Sequence, residues 1–370
     1  MTLGPTKAQG PRVVVALSGG VDSSTAAALL VDEGYDVVAV MMRLWATEYD
    51  GQLPNNRCCS PAAVADARRV CELLGIPFHL LDLEDEFKRQ VVDHFCAEYA
   101  AGRTPNPCLA CNRHLKFGVL LRTALELGAQ YLATGHYARI GRVDSQFQLL
   151  RGVDLQKDQS YMLYMLGQDE LARVLFPLGA YKKSEVRALA TQFRLPTAAK
   201  PESQDVCFVS DGDYRSFLAQ RCPETSRPGP VVDTAGRVLG QHRGVAFYTV
   251  GQREGLGIAA RQPLYVLEID MARNALVVGL KCDLLRAELL AEQVSYVAGS
   301  PPSQPVAVRA KIRYRAEEAP ATVVPLAGQR ARVVFREPQP AITPGQGVVF
   351  YQEDVLLGGG LISTARPVEV

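Results

Sequence analysis

The sequence predicts an α/β protein in which a doubly wound parallel sheet is followed by a small β-rich unit and then a β-barrel. Three observations predict it. Up to about residue 134, short β-branched runs alternate with segments of helical length, the signature of strand–helix–strand crossovers. From about Pro228 these give way to short strands broken by Gly and Pro, and beyond Asp283 such strands recur about every 10 to 20 residues, as in small barrels. A chain of 370 residues also exceeds the size at which one core keeps growing. The expected units are residues 1–225, 226–282 and 283–370.

Taken in order, VVVAL (13–17) and DVVAVMM (36–42) read as buried strands, with residues 23–33 helical between them. Ser60 and Pro61 supply an N-cap and a first-turn proline for a helix to Leu74, and Gly75 stops it. Residues 78–83 return to strand, 85–101 and 115–127 are helical, and YLAT (131–134) is strand again. The central unit shows VAFYTV (245–250), PLYVLEI (263–269) and ALVVGL (275–280); the barrel shows runs at 306–313, 331–335 and 347–351.

Apolar residues make up 48% and charged residues 21%, which excludes disorder as the main theme and leaves material for real cores. No apolar run reaches the roughly 18 residues of a membrane span, and the start MTLGPTKAQGPR lacks a signal peptide's apolar centre. No membrane association and a cytoplasmic location are expected. Nine cysteines, an odd number in a long chain, point to reactive or metal-binding thiols rather than a disulfide framework. A net charge of +1 does not decide for or against a nucleic-acid partner, because a local basic patch can be masked by acids elsewhere.

The first strand runs into Ser18-Gly19-Gly20-Val21-Asp22-Ser23 and then a helix. Paired glycines let backbone approach an anion, and the open N–H groups and dipole of the helix start favour phosphate. No G-K-[ST] follows, so this is not a Walker loop, and no G-x-G-x-x-G fingerprint is present. Further on, Gly102 to Asn112 reads GRTPNPCLACN, in which two prolines restrict the backbone before a C-x-x-C. Arg113 and Lys116 follow as basic neighbours able to lower a thiol pKa. A third cysteine, Cys207, lies in SQDVCFV. Cys71 and Cys96 sit on helix core faces, Cys222 and Cys282 are read as incidental, and Cys58 and Cys59 receive no role.

The S-G-G-x-D-S string resembles the PP-loop of ATP pyrophosphatases, which cleave ATP between its α and β phosphates to adenylate a substrate. The strings ALSGGVDSS, GRTPNPC..CN, ATGHYAR, KDQSYML, SQDVCF, TVGQREGLGI, RYR, PGQGVVFY and GGG, in one order across nearly the whole chain, make the resemblance specific to the tRNA-specific 2-thiouridylase family. That resemblance implies ATP-dependent conversion of a wobble uridine of tRNA to 2-thiouridine, by adenylation of the C2 oxygen, attack of sulfur and loss of AMP. It implies ATP and Mg²⁺ as cofactors, and tRNA and a sulfur donor, a cysteine desulfurase or a sulfur-relay protein, as partners.

Carried over by position, Cys111 matches the family's catalytic cysteine and Cys207 its persulfide-bearing one, a pair that forms a disulfide in that mechanism. Nucleotide contacts fall on Ala16, Leu17, Ser18, Gly19, Gly20, Val21, Asp22, Ser23, Met42 and Gly135, with Asp22 expected to hold Mg²⁺ or phosphate. Asn106, Pro107 and Cys108 match the segment that meets the target base, and His136, Lys157, Asp158, Gln159, Arg313, Tyr314 and Gln346 match tRNA-contacting positions. One departure stands out: many members carry Asp where this chain has Cys108. Three thiolates, Cys108, Cys111 and Cys207, also suit a [4Fe–4S] cluster with one iron open to sulfide, whereas zinc lacks an evident fourth ligand. A non-catalytic RNA-binding or iron–sulfur carrier protein is the competing reading, and the intact SGGVDS loop speaks against it.

Overall fold

The computed structural model describes residues 10–45, 60–201, 206–209 and 213–367. Cys58, Cys59 and the Ser203-Gln204-Asp205 part of the SQDVCF string lie outside them. The strands, in chain order, are β1 (Arg12–Ala16), β2 (Asp36–Arg43), β3 (Phe78–Asp82), β4 (Tyr131–Ala133), β5 (Ala138–Val143), β6 (Gln146–Arg151) and β7 (Val174–Leu175). They continue as β8 (Gly229–Asp233), β9 (Val238–His242), β10 (Tyr265–Asp270), β11 (Ala275–Gly279), β12 (Leu285–Tyr296), β13 (Val306–Lys311), β14 (Ala319–Leu326), β15 (Arg330–Pro340), β16 (Gly347–Gln352) and β17 (Val355–Pro367).

The first sheet is parallel throughout, in the order β3-β2-β1-β4-β7. Successive residues of β1 point to opposite faces, so each face has its own core. Val13 and Val15 pack with Ala27, Leu30, Ala63 and Ala67 from helices Val21–Asp32 and Pro61–Leu74. Val14 and Val40 pack on the other face with Leu120, Leu121 and Ala124. Strand order reverses between β1 and β4, and in open α/β sheets a ligand crevice forms at the carboxyl ends on either side of such a reversal.

The central unit is a four-stranded sheet in the order β10-β11-β8-β9. VAFYTV departs from its expected strand: Val245–Phe247 forms a 3₁₀ turn entered through Gly244 at φ 157°. The C-terminal strands β12-β15-β14-β13-β16-β17 close into a six-stranded barrel through the β12–β17 pairing. The hairpin β5–β6, absent from the sequence-based expectation, leaves the first unit and pairs β6 with β17 at Leu149↔Leu356 and Leu150↔Val355.

A second difference concerns the cysteines. The sequence places the C-x-x-C in a loop before a helix at 115–127, whereas a single helical run spans 107–126. Asn106 is its N-cap, accepting Cys108 N–H at 3.0 Å, and Pro107 sits in the first turn, where a missing N–H costs nothing. Over Cys111–Leu120 the helix opens into π turns, a widening that recurs at functional sites.

Candidate active site

The crevice at the strand-order reversal is a cleft of about 1120 Å³. Its floor is Ser18 to Asp22. Gly19 takes φ 68°, and a Cβ there would stand 2.4 Å from the carbonyl oxygen of Ala63, so only glycine lets the loop pass beneath helix Pro61–Leu74. Gly20 caps helix Val21–Asp32 without a side-chain hydrogen bond, so the helix start is open to an anion. Ser23 Oγ accepts Ser18 N–H at 3.1 Å and lies 3.1 Å from Ser18 Oγ, which pins the loop to the helix. Ala16 ends β1, and Leu17 donates its N–H to Val40 at 2.9 Å, fixing where the loop begins.

Asp22 is the most heavily bonded member of this loop. Both its oxygens accept from Lys183 Nζ, at 2.6 and 2.8 Å, and Oδ1 also accepts from Tyr137 Oη at 2.8 Å. Lys200 Nζ donates to the carbonyl of Gly19 at 2.9 Å and to Asp66 at 2.7 Å. Sequence reasoning missed Lys183, Lys200 and Tyr137. Lys183 opens an ordinary-looking helix, and only the fold brings it to Asp22; Lys200, just upstream of the SQDVCF string, carried a positional hint.

The structure brings Cys108, His136, Lys157, Asp158, Gln159, Arg313, Tyr314 and Gln346 to the walls of the same cleft. Their surroundings differ. Asp158 is buried and accepts from Gly152 N–H, Ser160 N–H and Ser160 Oγ at 2.9 to 3.1 Å, so its carboxylate is spent on shaping its own loop. Gln159 clamps Tyr137, its Oε1 accepting Tyr137 N–H at 3.0 Å. His136 is buried between Phe117 and Phe176 with Nδ1 2.7 Å from Thr134 Oγ1. Burial, helped by the nearby charge of Lys116, holds its pKa well below the usual histidine range, so the ring is neutral.

Arg313 is half-buried and donates to the carbonyl of Ala341. Gln346 Nε2 donates to Thr104 carbonyl at 2.8 Å, and Thr104 N–H donates to Pro344 at 2.8 Å. The barrel turn is thus tied to the strand of chain that leads into the cysteine helix. Gly345 lies so close that a Cβ would stand 2.9 Å from Thr104 backbone atoms.

Of the expected residues, Ala16, Leu17, Ser23, Met42, Asn106, Pro107, Cys111, Gly135 and Cys207 do not line this cleft. Met42 packs between two apolar clusters, and Cys111 and Cys207 both pack against the one built around Phe87, Phe95 and Phe208. Gly135 backs the loop, where a Cβ would meet Ser23 N at 2.9 Å. Cys108 is exposed, while Cys71 and Cys96 are buried and their thiols are pushed up to about 12, mainly by desolvation. Cys222 is buried and Cys282 exposed. Among the described residues, no group of three or more His, Cys, Asp or Glu side chains gathers as a metal site.

Seven cationic side chains, Lys116, Lys157, Lys183, Lys200, Lys311, Arg313 and Arg315, line the cleft against two carboxylates, Asp22 and Asp158. A chain of net charge +1 therefore carries a strongly electropositive cleft, suited to phosphates of a nucleotide and of a polynucleotide. Among the described residues no helix is long and apolar enough to cross a membrane.

Comparison with known proteins agrees with this geometry. Three family models match in sequence order: a tRNA methyl transferase HUP domain over residues 11–211, a tRNA methyl transferase PRC-barrel domain over 215–280, and an aminomethyltransferase β-barrel domain over 286–362. The chain is 51% identical to the tRNA-specific 2-thiouridylase MnmA of Roseiflexus castenholzii, over 95% of this chain and 99% of that one. It is 52% identical to the protein of the same name from Moorella thermoacetica, over 96% and 100% of the two chains. A solved structure, the U34-tRNA thiolase NcsA from Methanococcus maripaludis with its [4Fe–4S] cluster, is far more distant, at 21% identity and a TM-score of 0.34 over 61% of this chain and 69% of that one. With near-full-length identity of this order to several 2-thiouridylases, the chain belongs to the tRNA-specific 2-thiouridylase family.

Proposed function

We propose that this protein uses ATP to replace the C2 oxygen of a tRNA wobble uridine with sulfur. The observation that carries the reading is the cation-lined cleft in which the phosphate loop faces Cys108 and the barrel residues Arg313, Tyr314 and Gln346. Uridine O2 attacks the α-phosphorus of ATP, the bond to the bridging oxygen breaks and pyrophosphate leaves. Loop amides, the helix start, Lys183 and Lys200 hold the triphosphate and the departing pyrophosphate. Asp22, whose oxygens accept from Lys183 and Tyr137, would supply one carboxylate toward Mg²⁺, an ion that commonly takes one or two carboxylates besides phosphate oxygens.

A sulfur nucleophile then bonds to C2, and AMP leaves with the former C2 oxygen. Cys207 carries the sulfur as a persulfide and Cys111 attacks its inner sulfur, which releases the thiouridine and leaves a Cys111–Cys207 disulfide for an external thiol to reduce. Support for this pairing comes from the one apolar cluster that both cysteines touch. A second route would place the three thiolates of Cys108, Cys111 and Cys207 on a [4Fe–4S] cluster. The described residues do not gather as such a site. A cysteine desulfurase or a relay protein supplies the sulfur, in the cytoplasm, and the chain is organised as a catalytic unit (1–225), a central unit (226–282) and a tRNA-binding barrel (283–370).

The test is thiolation by the Cys108→Ala, Cys111→Ala and Cys207→Ala variants after anaerobic incubation with iron and sulfide, with bound iron measured alongside. The persulfide route predicts loss of activity only for Cys111 and Cys207. Joint loss of iron and thiolation in all three variants would replace it with the cluster route.

A further inference from the structure

Helix 107–126 has a second face. Cys108, Asn112 and Lys116, four residues apart, look into the cleft, whereas Ala110, His114, Gly118 and Arg122, also four apart, are turned well away from it. That far face forms one wall of two adjoining grooves, of about 380 and 510 Å³, which share Arg89, Gln90, Arg113 and His114.

The grooves are lined by three arginines, Arg89, Arg113 and Arg122, and three carboxylates, Glu86, Asp93 and Glu98, two of which are taken up by cations outside the lining. Arg89 reaches Glu86 only at 4.0 Å, and among the described residues neither Arg113 nor Arg122 has a carboxylate within ion-pair distance. The acids nearby are already engaged, Asp93 by Lys88 at 2.8 Å and Glu98 by Arg103. Arg113 lies 5.7 Å over the ring of Tyr164, which holds its guanidinium in place without neutralising it. His114 stands beside Arg113 and His94, and besides partial burial their positive charge makes its protonation harder. An anion in the groove would relieve all of these together.

The crest between groove and cleft is the start of the helix. Asn106 and Gly345 line the groove side, while Cys108 and Gln346 line the cleft side. A helix with its side chains is about 10–12 Å across, a distance that a short stretch of sugar–phosphate backbone spans. We propose that the groove holds backbone phosphates of the tRNA strand that flanks the target nucleotide, so that the strand straddles the helix start with its base in the cleft and its neighbouring phosphates on Arg89, Arg113 and Arg122. The proposal rests on the reading of the cleft as the site of a tRNA base.

The experiment uses the full chain with an unmodified tRNA substrate and follows binding across a range of KCl concentrations. Arg122→Glu and Arg89→Glu, both exposed side chains, are compared with Arg122→Lys and with wild type. Each charge reversal is expected to weaken tRNA binding several-fold at low salt and to reduce the slope of log affinity against log salt by about 1, with Arg122→Lys restoring both. ATP binding should not change, because the nucleotide sits on the other side of the helix. Unchanged affinity and slope in both reversals would overturn the proposal. So would normal tRNA binding combined with a loss of thiolation that appears only with a protein persulfide donor and not with inorganic sulfide, since the groove would then dock the donor. Wild type that neither binds nor thiolates tRNA would instead reject the reading of the cleft itself.

Discussion

At Asp22 one carboxylate takes two bonds from an ammonium and one from a phenol, all at the mouth of an open helix start. Lys183 neutralises the acid, and both line the cleft beside the phosphate loop. Asp22→Ala should therefore abolish formation of AMP and pyrophosphate while leaving tRNA affinity nearly unchanged, and thiolation at the normal rate in this variant would reject the phosphate-loop assignment. His136 makes a pH prediction. Its folded pKa lies well below the usual histidine value of 6.5, so below about that pH the unfolded chain binds the additional proton. Stability should fall as pH drops from about 7.5 to 5.5, and His136→Gln should flatten that fall in thermal melts; an identical fall would show that other groups cause it. Arg315, exposed in the cleft, rather than the half-buried Arg313, should carry the salt dependence there, with Arg315→Ala lowering the slope by about 1. The motif strings located Asp22 and the RYR triplet in sequence, but not which arginine stays in water, because that depends on the carbonyl of Ala341 that captures Arg313.

At the scale of elements, the cysteine helix shows what local sequence does and does not disclose. Asn106 and Pro107 form a legible start signal, yet the two prolines of TPNP suggest a loop, and the helix began eight residues earlier than its apolar pattern, 107 against 115. The cap matters beyond stability because it orients Cys108. Asn106→Ala should cost about 1 kcal/mol, measured by denaturant unfolding, and lower the thiolation rate more than it lowers ATP affinity. Gly345 gives a sharper case. Gly345→Ala puts a methyl 2.9 Å from Thr104 backbone at φ 89° and should separate the barrel turn from the cysteine segment. Thiolation should fall with ATP binding retained, and equal losses in both would mean that the turn supports the whole fold instead. The β1 to β4 crevice, by contrast, was legible from the strand–helix alternation and the SGGVDS string, since a phosphate loop at the end of a first parallel strand has few other places to lie.

For the whole molecule, the decisive feature is the seam between the first unit and the barrel. β6 pairs with β17, and beneath the seam Arg151 lies 2.5 Å from Glu318 and 3.9 Å from Asp158, with its guanidinium 3.7 Å over Tyr351. Removing one partner of a buried charge cluster leaves the others uncompensated, so Arg151→Ala should destabilise the protein by roughly 3–5 kcal/mol in denaturant unfolding. None of this was readable beforehand. The hairpin β5–β6 has a polar, glycine-containing sequence, and its partner strand lies some 200 residues away. The seam explains how a barrel at the end of the chain reaches a site built at its beginning, and so how one cleft joins ATP chemistry to tRNA. That union is the central claim, and the stoichiometry of a single reaction tests it most directly. Purified protein is given ATP, a sulfur donor and unmodified tRNA, and AMP, pyrophosphate and the digested nucleosides are quantified together. One AMP and one pyrophosphate should form for each 2-thiouridine, with neither appearing when tRNA is left out. Formation of ADP, AMP release independent of tRNA, or a methylated nucleoside in place of the thiolated one would contradict it.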